Sequence, residues 1–466
     1  MLKIFVLITL VAYTSASQGF VFSRGITDMS KNVASIAPSI FNNLTFSDSY
    51  QSSVIIYDGI VQVNYTVTNF TFKNFNVQSN HVAVSISNNG WMSLTLSNFS
   101  FNLYYNYNET GFNVNKSGQA ISTITQSKFI INIYIYYFDG GTAAIIDDTN
   151  ITFTTGACST IAPGLSKSII TKTNDAIANY LELPQFLGTL PNVMSTYLSE
   201  YLENNQYSIY LKDTLLYMDS HLMNNITSTP DYVSYPINGT ILPTNNEKPT
   251  TLNMPTDLPL RVPSVYANES QVIISKYTLQ TYFNAFNQEY PFSNITSLPS
   301  AMPNILMTTS GYFPEIYNAY GAANMSFISQ IPNTPQIFIM TGSVVLRTNI
   351  TMELNVLVNG VYTNVVNYWF NSEYQCGIQI GSGIVSGNCM KPKVLSLGVL
   401  SGGNLANVFS LKRFTSDLLQ MTFLLGETSY FFPLIPLNYP ANSTYQALKT
   451  TYNPNYVAIS FLVNYP

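Results

Sequence analysis

Apolar residues recur at helical spacing near the start of each half of the chain. In the first half their steps of three and four predict an amphipathic helix, which Pro38 should end or kink near Ala37. In the second half Ser275 is placed to cap a helix that ends before Pro291. The first stripe consists of Ile26, Met29, Val33, Ile36 and Ile40, and the second of Leu279, Tyr282, Phe283 and Phe286.

A second helical pattern closes each half. In the first half it covers residues 165–183, stops at Pro184 and resumes over residues 192–203. In the second half it covers residues 407–425. The apolar positions that we single out on these helices are Val193, Tyr197, Tyr201, Leu418 and Phe423.

The tracts between the helices are rich in Val, Ile, Thr, Tyr and Phe, often in alternation, and short turns separate them. This pattern predicts antiparallel β-meanders. Alternating apolar residues over 456–465 predict a last strand with one buried face. The predicted strand tracts are residues 54–76, 82–107, 120–137, 142–153, 336–346, 351–358, 361–370 and 393–400.

The order helix, strands, helix, strand therefore appears twice. Between the two copies, residues 227–263 hold seven prolines without periodicity, which predicts an extended linker. A curved antiparallel sheet wrapped on an apolar helix would build each copy, in an α+β fold. The predicted organisation is a signal peptide (1–17), an N-terminal barrel (18–226), the linker (227–263) and a C-terminal barrel (264–466).

The first residues indicate export. Lys3 precedes an apolar run over residues 4–11, and small residues follow, so we expect cleavage after Ala16 or Ser17. Fourteen Asn-x-Ser/Thr sequons, including Asn64, Asn69 and Asn98, fit a secreted glycoprotein, although an Asn- and Thr-rich chain also makes such triplets by chance. We expect an extracellular protein, or one in the lumen of a secretory or digestive compartment.

Charge is scarce. The chain is 9% charged and 46% apolar, yet no stretch after the start is long and apolar enough for a membrane helix. An ordinary core or a lipid-filled cavity must hide that apolar surface. Neither half is basic, since residues 18–225 hold 8 Lys/Arg against 13 Asp/Glu and residues 226–466 hold 9 against 10. Nucleic acid and electrostatic capture by anionic membranes are therefore disfavoured.

The three cysteines leave one over after a single pairing. Cys376 and Cys389 flank a glycine-rich stretch, which predicts a hairpin closed by a disulfide. Such a loop contributes about 3 kcal/mol in the chain-entropy model. Cys158 is expected to be a buried free thiol, or else to pair between chains.

No catalytic or metal site is predicted. The two histidines, His81 and His221, lie far apart, and no Gly-x-Ser-x-Gly nucleophile elbow exists. The pair Asp147-Asp148 would need further oxygen ligands to bind calcium. We expect neither enzymatic activity nor a cofactor other than a bound lipid.

Three stretches together resemble the family of bactericidal/permeability-increasing protein, lipopolysaccharide-binding protein and the plasma lipid-transfer proteins. Residues 18–26 (QGFVFSRGI) resemble the family's start into its first helix. Residues 272–277 (VIISKY), followed by Tyr282-Phe283, resemble the beginning of its second domain, and residues 433–465 resemble its closing strand. The resemblance covers nearly the full mature chain, and it rests on the order and spacing of the three stretches.

The resemblance implies an elongated, boomerang-shaped molecule in which two tubular barrels meet at a central sheet. Each barrel then holds a phospholipid-like ligand in an apolar pocket, with the helix stripes named above as its lining. Two departures from the family are visible. The family usually links a strand of the first barrel to its long helix by a disulfide. Cys158 stands at the place of the strand cysteine, but no cysteine lies between it and Cys376, so that disulfide is expected to be absent. The first half also lacks the basic charge of the antibacterial members.

Three functions follow as hypotheses. The first is a secreted lipid-binding or lipid-transfer protein that transiently contacts membranes or lipid particles and binds no nucleic acid. The second is a host-defence protein of innate immunity that binds bacterial envelope lipid such as lipopolysaccharide. The third is a glycosylated surface or structural protein whose barrels have filled cores and no ligand.

Overall fold

The computed structural model describes residues 19–465 with gaps. The residues outside the description are 43, 57–60, 87–90, 112–113, 139–140, 147–150, 164–166, 183–185, 189–207, 213, 221–226, 230, 245–257, 260, 264–268, 290–291, 296–308, 391, 425–434 and 438–441.

The elements of the first half that the structure bounds are strands, two α-helices and one 3-10 turn. In order they are β1 (Phe20–Gly25), α1 (Ile26–Phe41), β2 (Thr45–Ile56), β3 (Val61–Asn76), a 3-10 turn (Ser79–His81), β4 (Val82–Ile86), β5 (Met92–Gly111), β6 (Val114–Phe138), β7 (Gly141–Ile146), β8 (Thr152–Thr154), β9 (Ala157–Ile161), α2 (Lys167–Glu182), β10 (Ser208–Tyr210), β11 (Leu216–Asp219), β12 (Thr227–Ser228), β13 (Tyr232–Ile237) and β14 (Ile241–Pro243).

The second half repeats this order. It consists of β15 (Ser270–Ser275), α3 (Lys276–Glu289), β16 (Phe292–Ile295), α4 (Thr309–Tyr312), α5 (Pro314–Tyr320), β17 (Met325–Gln330), β18 (Gln336–Met340), β19 (Ser343–Val358), β20 (Val361–Gly381), β21 (Ile384–Cys389), β22 (Lys393–Ser401), α6 (Val408–Leu424), β23 (Ile435–Pro436), β24 (Thr444–Asn453) and β25 (Tyr456–Asn464).

Two large curled sheets flank a central one. The first follows the order β2-β3-β5-β6-β7, with β4 on β5 and with β8 and β9 on β6. The second follows β16-β17-β19-β20-β21-β23, with β18 on β19 and β22 on β20. The central sheet, β12-β13-β1-β15-β25-β24, takes strands from both halves, and β10-β11-β14 form a small fourth sheet. Every described pairing is antiparallel, as the meander pattern predicts.

Bulges bend the first curled sheet and switch the faces of its strands. Asn69, Asn98 and Gln126 have φ of 59°, 48° and 57°, and the pairing register shifts beside them. A bulge bends a strand and adds one residue to its alternation. In β5 the buried positions are even-numbered up to Leu96 and odd-numbered from Phe99 onwards. The inner face therefore changes phase where the sheet bends.

Of the two predicted outcomes at Pro38, an end or a kink of the helix near Ala37, the structure excludes the end. Helix α1 runs through Pro38 to Phe41, and the Asn42 N–H still bonds to the Pro38 carbonyl at 3.1 Å. The Phe41 ring stacks on Phe75 with the ring centroids 4.3 Å apart, and this packing holds the turn that follows the proline. Tertiary packing here outweighs the local cost of an interior proline.

The predicted linker also differs from expectation, because residues 227–263 contain β12, β13 and β14. Strand β13 pairs with β1 inside the central sheet despite Pro236. The carbonyl of the neighbouring Ile237 points toward β1, where it accepts a hydrogen bond from the Gly19 N–H. The backbone nitrogen of Pro236 therefore points away from β1, toward the side of β13 on which β12 pairs only with Val233 and Ser234. A proline is tolerated there because none of the described residues pairs with β13 at Pro236 on that side. The domain boundaries themselves stay a prediction.

The last strand is buried on both faces rather than one. Val457, Ile459 and Phe461 pack into the main apolar cluster, as their alternation predicts. Ala458 on the opposite face packs with Leu258 and two central-sheet residues. Leu258 packs on the face of β25 that contains Ala458, which the alternating sequence pattern did not predict to be buried.

The predicted cap of the second-half helix is present. The Thr278 N–H donates to Ser275 Oγ at 3.0 Å, which satisfies one of the free amides of the first turn of α3. The Ser275 N–H bonds to the Gly19 carbonyl, so the same residue ties α3 to the start of the first half.

Cys376 and Cys389 lie directly opposite each other on β20 and β21 and form the predicted disulfide. Replacing both cysteines by alanine is expected to lower the free energy of unfolding by about 3 kcal/mol, because the unfolded chain loses its cross-link. Urea unfolding would measure this loss. The control is Cys158→Ala, which removes a free thiol. An equal loss in the control and the double variant would contradict an effect of the cross-link.

Candidate functional site

Helix α1 lies against the concave face of the first curled sheet. Met29 and Val33 are each 1% exposed and belong to the largest apolar cluster, together with inward residues of β3, β5 and β6. Ile26 is half-buried against the same cluster. The side chains of Ile36 and Ile40 lie outside the described residues, so their part in the lining stays a prediction.

Helix α2 supplies the second wall of this interior. Ile177, Tyr180 and Leu181 are fully buried, and the Tyr180 ring stacks on Phe70 with a centroid distance of 4.8 Å. The spacing of these positions on α2 is a helical signal that could have placed Tyr180 in the site. Val193, Tyr197 and Tyr201 lie outside the described residues, and their assignment stays a prediction.

Aromatic rings cluster on the inner face of the first curled sheet, and the sequence-based choice of site residues missed them. Phe72 stacks on Phe101 at 4.8 Å, and Phe75 packs on Phe99 at 5.1 Å. Alternating aromatics in β3 and β5 are the signal that could have located them. Together the rings form a rigid apolar lining between α1 and α2.

Helix α3 joins the same apolar cluster from the second half. Leu279 and Tyr282 are fully buried, Phe283 is buried, and Phe286 is partly buried against the cluster. The Tyr282 ring lies 4.9 Å from that of Phe283. The described residues of the predicted stripes on α1 and α3 thus belong to one contiguous apolar cluster, which contains residues from both halves of the chain.

The far part of the second curled sheet has a separate core. Leu418 on α6 belongs to it, with Phe313, Phe327 and Phe414 at its centre. The Phe414 ring lies 4.9 Å from Phe327 and 5.3 Å from Phe313. Leu418 is therefore not in the cluster of α1 and α3, and the side chain of Phe423 lies outside the described residues.

A buried ion pair stands where α1 leaves the central sheet. Arg24 Nη2 lies 2.8 Å from Asp28 Oδ2, with the two side chains 0% and 4% exposed. Asp28 also accepts hydrogen bonds from Ser270 Oγ at 2.7 Å and from Tyr465 Oη at 2.8 Å. Burial raises the pKa of the nearby Tyr445 to about 12, although Arg24 opposes that shift. The network joins residues from both halves of the chain.

Two adjacent polar side chains, Glu109 and Tyr65, face the apolar interior. Glu109 on β5 is 0% exposed, and neither carboxylate oxygen has a hydrogen-bond partner among the described residues. The directly opposite residue on β3 is Tyr65, whose buried hydroxyl lies near the hydroxyls of Tyr105 and Thr173. Burial raises the pKa of Glu109, and Lys116 opposes the shift. Burial also raises the pKa of Tyr65.

Replacing Glu109 by glutamine is expected to stabilise the protein more at high pH than at low pH. Because burial raises the pKa of Glu109, the folded state holds this proton more tightly than the unfolded state does. Stability from this group is therefore present at low pH and lost as the pH rises through the folded pKa. Urea unfolding at about pH 5 and about pH 8 would measure the difference. An equal effect of the substitution at both values would refute it, and Glu353→Gln on an exposed strand position is the control.

Other reactive groups are isolated. Cys158 on β9 is a free thiol 3.9 Å from Asn174 Oδ1 of α2, and burial raises its pKa. No group of three or more His, Cys, Asp or Glu side chains able to hold a metal occurs within the described ranges. His221 lies outside them. No helix in the described part of the chain is long and apolar enough to cross a membrane.

Comparison with known proteins relates the architecture to a solved fold. No protein-family model matches the sequence, and no curated protein is significantly similar to it. The crystal structure of lipopolysaccharide binding protein aligns with 96% of this chain and 99% of its own, at a TM-score of 0.52 and 14% identity. The chain has the fold of lipopolysaccharide binding protein. The structure of P47 from Clostridium botulinum A2 aligns with 96% of this chain and 97% of its own, at 10% identity and a TM-score of 0.24.

The likeness to lipopolysaccharide binding protein confirms the predicted α+β class, with two curled antiparallel sheets joined by a central sheet. It also confirms the resemblance that the three sequence stretches indicated. Two of those stretches form the junction of the halves, since β1 of the first pairs with β15 of the second.

Proposed function

We propose that the protein is a secreted lipid-binding or lipid-transfer protein that holds phospholipid-like acyl chains against the apolar faces of α1, α2 and α3. The observation that carries the proposal is the single apolar cluster that these helices share inside the first curled sheet and across the central sheet. The fold likeness to lipopolysaccharide binding protein supports it.

Hydrophobic transfer alone would supply sufficient affinity. Each buried methylene contributes about 0.8 kcal/mol, so one acyl chain of ordinary length offers roughly 10 kcal/mol before the cost of ordering it. Such binding needs no charge, in keeping with a chain that is 9% charged. The buried Asn32 of α1, whose amide has no partner among the described residues, could bond to an ester or hydroxyl group of the ligand.

Secretion is part of the proposal. The predicted signal peptide supports it, as does the disulfide between Cys376 and Cys389, because disulfides persist in oxidising compartments. The sequon residues Asn64, Asn69 and Asn98 are exposed, so each is accessible for glycan attachment. The ligand would be exchanged during transient contact with a membrane or lipid particle.

Lipid analysis of the protein purified from its secreting cells tests the proposal. We expect co-purified acyl lipid by native mass spectrometry and saturable uptake of a fluorescent phospholipid by the delipidated protein. Absence of bound lipid together with absence of uptake would overturn it and would favour the structural protein with filled cores.

A host-defence role is the second candidate, and the name of the solved relative, lipopolysaccharide binding protein, is what favours it. The net charge of −5 disfavours electrostatic capture of an anionic lipid. Binding of lipopolysaccharide at physiological salt, weakened by added salt, would support this role over general lipid transfer.

A further inference from the structure

Glu109 stands out because its buried carboxylate has no hydrogen-bond partner among the described residues, and Tyr65 is buried beside it. Their strands pair so that the two residues lie directly opposite each other. Both belong to the inward series of positions, which on β5 runs from Phe99 through Leu103 to Glu109. A buried carboxylate without a hydrogen-bond partner costs stability, so native proteins rarely keep one.

Further hydroxyl groups lie beside this pair on the inner face of the sheet. Next to Tyr65 the hydroxyl of Tyr105 lies 3.0 Å from Ser122 Oγ, which lies 2.6 Å from Thr160 Oγ1. Further along the same inner face the lining is apolar, with Val67 and Leu103 fully buried. An alkyl chain therefore fits one part of the lining and a hydrogen-bonding group fits the other.

We propose that Glu109 and Tyr65 form the head-group site for a single-chain lipid that presents several N–H or O–H donors and no negative charge. The inference rests on the proposed lipid-binding function and adds the class of ligand. A carboxylate accepts hydrogen bonds and a tyrosine hydroxyl accepts or donates one, so an ammonium group or a pair of hydroxyls satisfies both residues. An anionic head group would meet the buried carboxylate of Glu109, whose burial the exposed cross-strand neighbour Lys116 offsets only in part.

Competition binding to the delipidated full-length protein tests this assignment. The probes are octadecylamine, monooleoylglycerol and oleate, which carry an amine, a diol and an anion on similar chains. We expect the amine and the diol to bind at least about tenfold more tightly than oleate. Equal affinity for all three would overturn the assignment, whereas binding of none of them, with no phospholipid uptake, would overturn the proposed function itself.

Substitutions at Glu109 and Tyr65 test whether these residues cause the preference for the amine and the diol. Glu109→Leu should weaken the amine and the diol by about tenfold or more and leave oleate within about twofold. Glu109→Gln keeps the shape of the side chain and should weaken the amine more than the diol, and Tyr65→Phe should weaken both. The control is Glu353→Gln, at an exposed strand position. If folded Glu109→Gln and Tyr65→Phe retain the wild-type order and strength of binding, the site is not at these residues.

Discussion

Replacing Asp28 by alanine is expected to lower the free energy of unfolding by about 3–5 kcal/mol, because it leaves the guanidinium of Arg24 buried without its carboxylate. The side chain of Arg24 is 0% exposed, and its Nε donates to Asp28 Oδ2 at 2.9 Å. The substitution also removes the acceptor of Ser270 and Tyr465, which come from the second half of the chain. Urea unfolding of the wild-type protein and of the Asp28→Ala variant measures the loss of unfolding free energy.

Two further variants show whether burial causes the effect. Lys172 and Asp175 form an exposed pair on α2 with nitrogen and oxygen 3.9 Å apart, so Asp175→Ala should cost less than about 1 kcal/mol. Combining Arg24→Met with Asp28→Leu removes both charges and should recover most of the stability. A cost below about 1 kcal/mol for Asp28→Ala would show that the buried charge is compensated elsewhere.

Replacing Ala37 by phenylalanine is expected to reduce uptake of a fluorescent phospholipid by about tenfold or more while the folded protein persists. Ala37 lies on α1 and is buried in the cluster that we propose as the lipid site. The added ring would occupy space otherwise taken by an acyl chain. In a filled core the same ring would have no room, and overpacking would cost about 1–3 kcal/mol instead.

Uptake and thermal unfolding, measured on the same samples, separate these outcomes. Ala319→Phe on α5 is the matched control, because Ala319 is exposed on its helix. Ala285→Phe makes the same change on α3, where Ala285 is buried in the same cluster, and reports on the second-half helix separately. A lowered melting temperature with unchanged uptake for Ala37→Phe would contradict lipid binding at α1.

Helical spacing and capping residues in the sequence correctly predicted helices whose formation depends on local sequence. The helical stripe through Met29 and Val33 predicts α1, and Ser275 marks the first turn of α3. Packing decided the exceptions. Phe41 stacks on a distant strand where α1 continues past Pro38, and Pro236 enters β13 at a position that no described residue of β12 pairs with.

The candidate site was predicted in part, and Glu109 explains why the rest was missed. Strict alternation from Met92 places an odd-numbered residue such as Glu109 on the outer face of β5, where a charged side chain is ordinary. The bulge at Asn98 adds one residue and turns Glu109 inward. Nothing in the local sequence marks that bulge, because its position depends on the pairing of three strands.

The bulges also bear on how glycosylation of this chain can be studied. Asn69 and Asn98 adopt positive φ at the bends, and each is the first residue of a sequon. Asparagine tolerates that backbone conformation better than glutamine does. An Asn→Gln variant would thus remove a glycan and disturb the bend together. Thr71→Ala and Ser100→Ala remove the attachment signals and leave the bending residues in place.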